Sequence, residues 1–95
     1  MATRRYGDFE WDEVKARSNF LKHGVAFEEA VAAFADPFAI DAPDLYVPDR
    51  FVLIGYSRRA RLLFVVYAER GNQIRIISAR KASPPQRRTY EENLA

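Results

Sequence analysis

The stretch IRIISARKASPPQRRTY, Ile74 to Tyr90, opens apolar and then gathers charge. It carries five basic residues, Arg75, Arg80, Lys81, Arg87 and Arg88, and ends on the aromatic hydroxyl of Tyr90. Guanidinium groups can neutralise the charge that builds on a phosphorane. His, Tyr, Glu or Lys can take a proton from a 2′-hydroxyl and give one to a leaving 5′-oxygen. RNA cleavage by that route uses no metal and no cofactor. The chain holds the inventory in Lys22, His23, Glu69, Arg75, Arg80 and Tyr90. Three targets remain open for the basic run: a nucleic-acid backbone, an acidic protein surface, or water.

Each candidate also has a structural reading. His23 and Lys22 fall where the last turn of a helix is expected, and a cation there interacts favourably with the helix dipole. Glu69-Arg70-Gly71-Asn72 is first of all a hairpin turn, although loops also carry function. Arg75 stands among apolar neighbours; arginine is rarely buried unpaired, so it either meets a carboxylate or faces a groove. Arg80 ends a strand beside the cap of the last helix and makes the strongest pair with Tyr90. Arg87 and Arg88 could be a solvated face.

Other chemistries lose ground. There is one histidine and no cysteine, so a zinc site, a thiolate nucleophile and a disulfide framework are not expected. Ser18, Ser57, Ser78 and Ser83 are present without a nucleophile-elbow pattern. The four glycines are scattered, so no phosphate-cradling loop is visible. No apolar window reads as a signal peptide or a membrane span, and a cytoplasmic protein is expected.

The net charge of +2 conceals an asymmetry. Residues 1–49 hold five Lys/Arg against ten Asp/Glu, whereas residues 50–95 hold ten against three, nine of the ten being Arg. Arginine's planar fork suits phosphate or carboxylate. The pattern predicts a polyanion or an acidic partner for the second half, or a fold in which the halves neutralise each other.

These residues need elements to position them. Ninety-five residues, 48% of them hydrophobic, suffice for one folded domain. Phe9-Glu10-Trp11 reads as a short extended lead-in. Asp12 is a plausible N-cap for a helix over about 12–23, with Val14, Phe20 and Leu21 as its apolar stripe and Gly24 as its C-cap. A second helix over 27–35 buries Phe27, Ala30, Val31 and Phe34, and Asp36-Pro37 stops it. A short strand is expected at 38–42. RFVLIGYS, RLLFVVYAE and QIRIISAR then read as an antiparallel meander. Ser83 and Gln86 form a capping box for a last helix ending near Asn93. The expectation is an α+β fold: two N-terminal helices, three to four antiparallel strands and a C-terminal helix. VLIGY and LLFVVY do not alternate, so both faces of the sheet should be covered, by the last helix, a second protomer or a partner.

Two longer segments carry a resemblance. FEWDEVKARSNFLKHGVAFEEA, residues 9–30, resembles the N-terminal signature of BrnT-type toxins, and Asp36-Pro37 fits the same pattern. YAERGNQIRIISARKASPPQRRTYE, residues 67–91, resembles their C-terminal signature. The resemblance implies the toxin half of a bacterial type II toxin–antitoxin system with a RelE-like ribonuclease fold. It implies inhibition of translation through RNA cleavage, on or off the ribosome. It implies a BrnA-type antitoxin with a ribbon-helix-helix domain, through which the complex would reach operator DNA. By position it implies Arg80 and Tyr90 as catalytic, with Arg75, Lys22 and His23 beside them; Glu69 is a further candidate for proton transfer. Arg59, Arg61, Arg75, Arg87 and Arg88 are the candidates to hold RNA. No metal and no cofactor is expected. Two departures stand out: Ala26 where the family often has a capping Ser, and Ser83-Pro84-Pro85 in place of a more basic segment. The rival reading is a toxin-like binding module or corepressor without catalysis.

Overall fold

The computed structural model describes residues 2–94. The elements are β1 (Thr3–Tyr6), β2 (Phe9–Asp12), α1 (Glu13–His23), α2 (Phe27–Ala33), β3 (Ile40–Pro43), β4 (Phe51–Tyr56), β5 (Leu62–Arg70), β6 (Gln73–Lys81) and α3 (Pro84–Leu94). The class is α+β, and the antiparallel meander β4-β5-β6 is present. The strand count and pairing need correction. The sheet has six strands in the order β1-β2-β6-β5-β4-β3 and is mixed. β1 and β2 form a hairpin across Gly7-Asp8, and β2 then lies parallel to β6 through Phe9↔Ile74 and Glu10↔Arg75. β1 is exposed along its whole length, so it leaves no apolar alternation to read.

One face of the sheet carries the main core. Trp11, Phe27, Leu63, Val65 and Ile76 are buried there, with the Trp11 and Phe27 rings edge-on at 5.8 Å. α2 packs as its spacing predicts, burying Phe27 and Ala30 with Val31 and Phe34 half-buried. It ends directly over Gly55, where a Cβ would stand 2.7 Å from the Ala33 carbonyl oxygen, so only glycine fits. Ala26 supplies no side-chain cap, but its carbonyl accepts from the amides of Glu29 and Ala30.

α1 departs from expectation. Asp12 caps it, accepting from the amides of Val14 and Lys15, and Gly24 closes it in the left-handed conformation at φ 70°. Yet Val14, Phe20 and Leu21 are 65%, 51% and 79% exposed, so the anticipated apolar stripe faces outward. The one buried residue of α1 is Asn19. β2 stops pairing with β6 at Arg75, and α1 runs along the edge of β6 beyond it. The Asn19 side-chain amide there acts as a neighbouring strand. Its Nδ2 donates to the Ala79 carbonyl at 2.8 Å, and its Oδ1 accepts from the Ala79 amide at 3.1 Å. Nδ2 also donates to the Val25 carbonyl at 3.0 Å, tying down the turn between the helices.

α3 covers part of the opposite face. Its capping box forms: the Ser83 amide donates to Gln86 Oε1 at 2.9 Å and the Gln86 amide to Ser83 Oγ at 3.4 Å. Tyr90 is buried against Ile54 and Leu62. The non-alternating strands are thereby explained, since Leu53, Leu63 and Val65 face α1 and α2 while Ile54 and Leu62 face α3.

Asn19→Ala strands three buried backbone partners at once. Unsatisfied buried groups cost about 1–3 kcal/mol each, so a total near 3 kcal/mol and a fall in Tm of more than about 10 °C are expected for a domain of this size. Arg17→Ala on the exposed side of α1 should stay within about 0.5 kcal/mol; thermal unfolding of the two variants checks the contrast.

Candidate functional site

Strand geometry places Ser78 and Arg80 on one face of β6, opposite Val66 and Phe64 of β5, and turns Ala79 to the main core. This is the face that α3 covers only in part. Arg80 is held on it from several sides. Its guanidinium carbon lies 4.7 Å from the centre of the Phe64 ring. Its Nη1 donates to Gln86 Oε1 at 3.2 Å and to the Lys81 carbonyl at 3.1 Å. None of these partners carries a negative charge, so the cation keeps its capacity for an anion.

Along the α1 edge the face opens into two joined hollows. The first, about 210 Å³, is lined by Lys15, Ser18, Lys22 and His23 of α1 with Ile77 and Ser78 of β6. The second, about 430 Å³, shares Lys15 and Ile77 and adds the carboxylates of Asp12, Asp49 and Glu69 beside Arg50, Arg70 and Arg75. Arg75 is not free there. Its Nη1 donates to Glu10 Oε2 at 2.7 Å, and both side chains are largely buried. Both options the sequence left open for Arg75 are found, since it pairs with a carboxylate and lines the hollow.

Tyr90 packs on this face, against Ile54 and Leu62, but it lines neither hollow. Its hydroxyl donates to Asp36 Oδ2 at 2.6 Å, and the residue is 3% exposed. Burial, followed by the hydrogen bond and charge of Asp36, pushes the phenol up to about 12. Burial of Asp36 favours its protonated form, but donation from the Tyr56 amide, the Tyr90 hydroxyl and the Phe38 amide outweighs it and holds the carboxyl below its ordinary value. Asp36-Pro37 is therefore more than a helix stop. It anchors α3 to the end of α2 and to β4.

The remaining candidates lie elsewhere. Arg61 pairs with Glu29 through both Nε and Nη2, and Ser57 Oγ donates to the same carboxylate at 2.8 Å. The Arg61 hydrogen bond is the main reason that Glu29 sits below its usual range; burial opposes it and Ser57 assists. Arg59 reaches Glu29 only at 3.9 Å and is mostly exposed. These groups pin the β4–β5 turn to α2. Arg87 donates to the Tyr56 hydroxyl at 3.3 Å, and Arg88 is exposed on α3.

The structure thus gathers Lys22 and His23 in the first hollow, with Arg80 on the adjoining strand face, and Glu69 and Arg75 in the second. It leaves Tyr90, Arg59, Arg61, Arg87 and Arg88 outside. Sequence reasoning missed Lys15 and Arg50. Lys15, Ser18 and Lys22 fall at i, i+3 and i+7, one face of a helix, and that spacing was a readable signal. Arg50 follows an irregular loop and gave none. Among the described residues, no three or more His, Asp or Glu side chains gather as a metal site. No described helix is long and apolar enough to cross a membrane.

The family model described as "Ribonuclease toxin, BrnT, of type II toxin-antitoxin system" matches residues 11–85. The chain belongs to the BrnT family. A crystal structure of the Brucella abortus ribonuclease toxin, BrnT, is similar at a TM-score of 0.64 and 29% identity, over 77% of this chain and 92% of that one. No curated protein matches the chain. The segment matched to BrnT takes in both hollows and Arg80, and it stops at Pro85, before Arg87, Arg88 and Tyr90.

Tyr90→Phe removes a hydrogen bond to a charged acceptor and is expected to lower stability at neutral pH by about 2 kcal/mol. The sign at high pH follows from the raised phenol. The folded state keeps the Tyr90 proton up to about 12, whereas the free phenol loses it near 10. Stability is intact below pH 10 and declines as pH rises towards 12. Melting curves across that range should fall steeply for the wild type and less steeply for Tyr90→Phe.

Proposed function

We propose that this chain is a metal-independent endoribonuclease acting on the open side of β6. The observation that carries the reading is the convergence of Lys22 and His23 with Ser78 in one hollow, on the strand that presents Arg80. Membership of a ribonuclease toxin family supports the reaction class. In this reading Arg80 binds the scissile phosphate and stabilises charge on its non-bridging oxygens. His23 and Lys22 are the groups in place to move the two protons, with Glu69 in the adjoining hollow as a further acceptor. Tyr90 is left out, because its hydroxyl is committed to Asp36. The side chains named suffice for cleavage by the 2′-hydroxyl without a metal.

The rest of the proposal concerns partners. Translation would stop because RNA is cut, in the cytoplasm. A BrnA-type ribbon-helix-helix antitoxin would neutralise the toxin and carry the complex to operator DNA. Exposed apolar side chains, Val14, Phe20 and Leu21 on α1 and Leu45 and Tyr46 before β4, support a covering partner or a second copy of this chain.

The test is incubation of the purified chain with free RNA in chelator. Cleavage is expected, and Arg80→Ala should lower it by about 100-fold, the cost of losing one donor from an oxyanion-type site. Its Tm should drop only slightly, since the lost cation–π contact contributes about 0.5–1 kcal/mol. Activity that vanishes in chelator and returns with a divalent ion would overturn the metal-independent route. No cleavage by the wild type, on free RNA or on ribosomes, would favour the non-catalytic module.

A further inference from the structure

The groove along β6 does not end at the second hollow. Arg70 is shared with a third, of about 840 Å³, whose lining also includes Thr3, Arg5, Glu10, Asn72 and Gln73. It lies where the β1–β2 hairpin meets the start of β6. Thr3, Arg5 and Glu10 precede the segment matched by the BrnT family, whereas Arg70, Asn72 and Gln73 lie within it.

The chemistry of this hollow is unspent. Arg5 and Arg70 are exposed and have no carboxylate partner among the described residues, while Glu10 is already taken by Arg75. Gln73 shares the open face with Arg75, two residues along the strand. Its side-chain oxygen is buried, yet it accepts no hydrogen bond among the described residues. Buried polar atoms are nearly always paired, and an unpaired acceptor at the wall of a hollow is an empty place for a donor.

We propose that this hollow is a nucleotide subsite of the groove, holding single-stranded RNA that flanks the scissile bond. Arg5 and Arg70 hold a phosphate, and the Gln73 oxygen accepts from a base N–H. A nucleotide supplies both complements. A carboxylate alone would meet the two guanidiniums and leave the amide oxygen unpaired, so an acidic peptide would need a separate N–H donor, whereas one nucleotide carries both groups. Glu10 and Asn72 complete the wall, and the carboxylate's pairing with Arg75 limits its repulsion of phosphate. The proposal rests on the ribonuclease reading and adds a second place of contact, at the far end of β6 from Arg80.

The test uses two RNAs that share one cleavage site: a short oligonucleotide confined to the first hollows, and a longer one extended on both sides. Wild-type chain should bind the longer one about tenfold more tightly. Arg5→Ser, Arg70→Ser and Gln73→Leu should each shrink that advantage. With a 2′-O-methyl version of the long RNA, each arginine variant should also reduce the slope of log Kd against log salt by about 0.7, the signature of one lost phosphate contact on a single strand. A purely structural role would not change that slope. If Gln73→Leu fails to fold, the two arginine variants decide the matter. Cleavage by the wild type with an undiminished length advantage in the variants would overturn the subsite and leave the ribonuclease reading standing. Arginine variants that lose affinity for an acidic protein partner, with the RNA slope unchanged, would reassign the hollow to protein. A wild type that neither binds nor cleaves RNA would overturn both.

Discussion

The free edge of β6 is the constraint on which the rest of the molecule depends. β2 pairs with β6 only through Ile74 and Arg75, so the second half of the strand has no neighbour on that side. An open edge exposes unpaired backbone groups and invites wrong pairing. Asn19 closes it, because a side-chain amide carries a donor and an acceptor spaced as in a peptide. The same amide reaches Val25, so one side chain sets the position of α1, the turn after it and the start of α2. The placement of the side chains then follows from geometry. A helix held against that edge by Asn19 presents Lys15, Ser18 and Lys22 along Ile77 and Ser78. The groove is a consequence of how the edge is closed.

Charge has two separate uses here. The acidic first half and basic second half do neutralise each other at specific places, Glu10 with Arg75 and Glu29 with Arg61, and both pairs are largely shielded from solvent. Those pairs join the N-terminal hairpin and α2 to the meander. Breaking one would leave a buried charge without its partner, which is costly even where the intact pair adds little net stability. Of the cations left over, Lys15, Lys22, Arg50, Arg70 and Arg80 line or adjoin the groove. Of the two alternatives the sequence offers, internal neutralisation is present at these pairs, and polyanion binding belongs to the proposal.

What could be read in advance was local. Asp12, Gly24 and the Ser83–Gln86 box mark helix ends through contacts a few residues apart, and each formed where expected. The meander was legible because β4, β5 and β6 are long and rich in β-branched and aromatic residues. The N-terminal hairpin was not, since β1 is exposed and its parallel connection joins residues more than sixty positions apart. α1 was misjudged because Val14, Phe20 and Leu21 suggested a buried stripe, whereas a polar Asn19 makes the contact. Tyr90 is paired with Arg80 by site logic and the family resemblance. Its true partner, Asp36, lies 54 positions away, and nothing in the local pattern announces it.

The central claim is that RNA lies along β6 against α1. It is tested most directly by NMR, titrating isotope-labelled protein with a 2′-O-methyl RNA that cannot be cleaved. The account predicts that the largest shifts fall at Lys15, Lys22, His23, Ser78 and Arg80, with little change at Arg59 and Arg61. Shifts centred on the β4–β5 turn, or on Arg87 and Arg88 of α3 with β6 undisturbed, would contradict it.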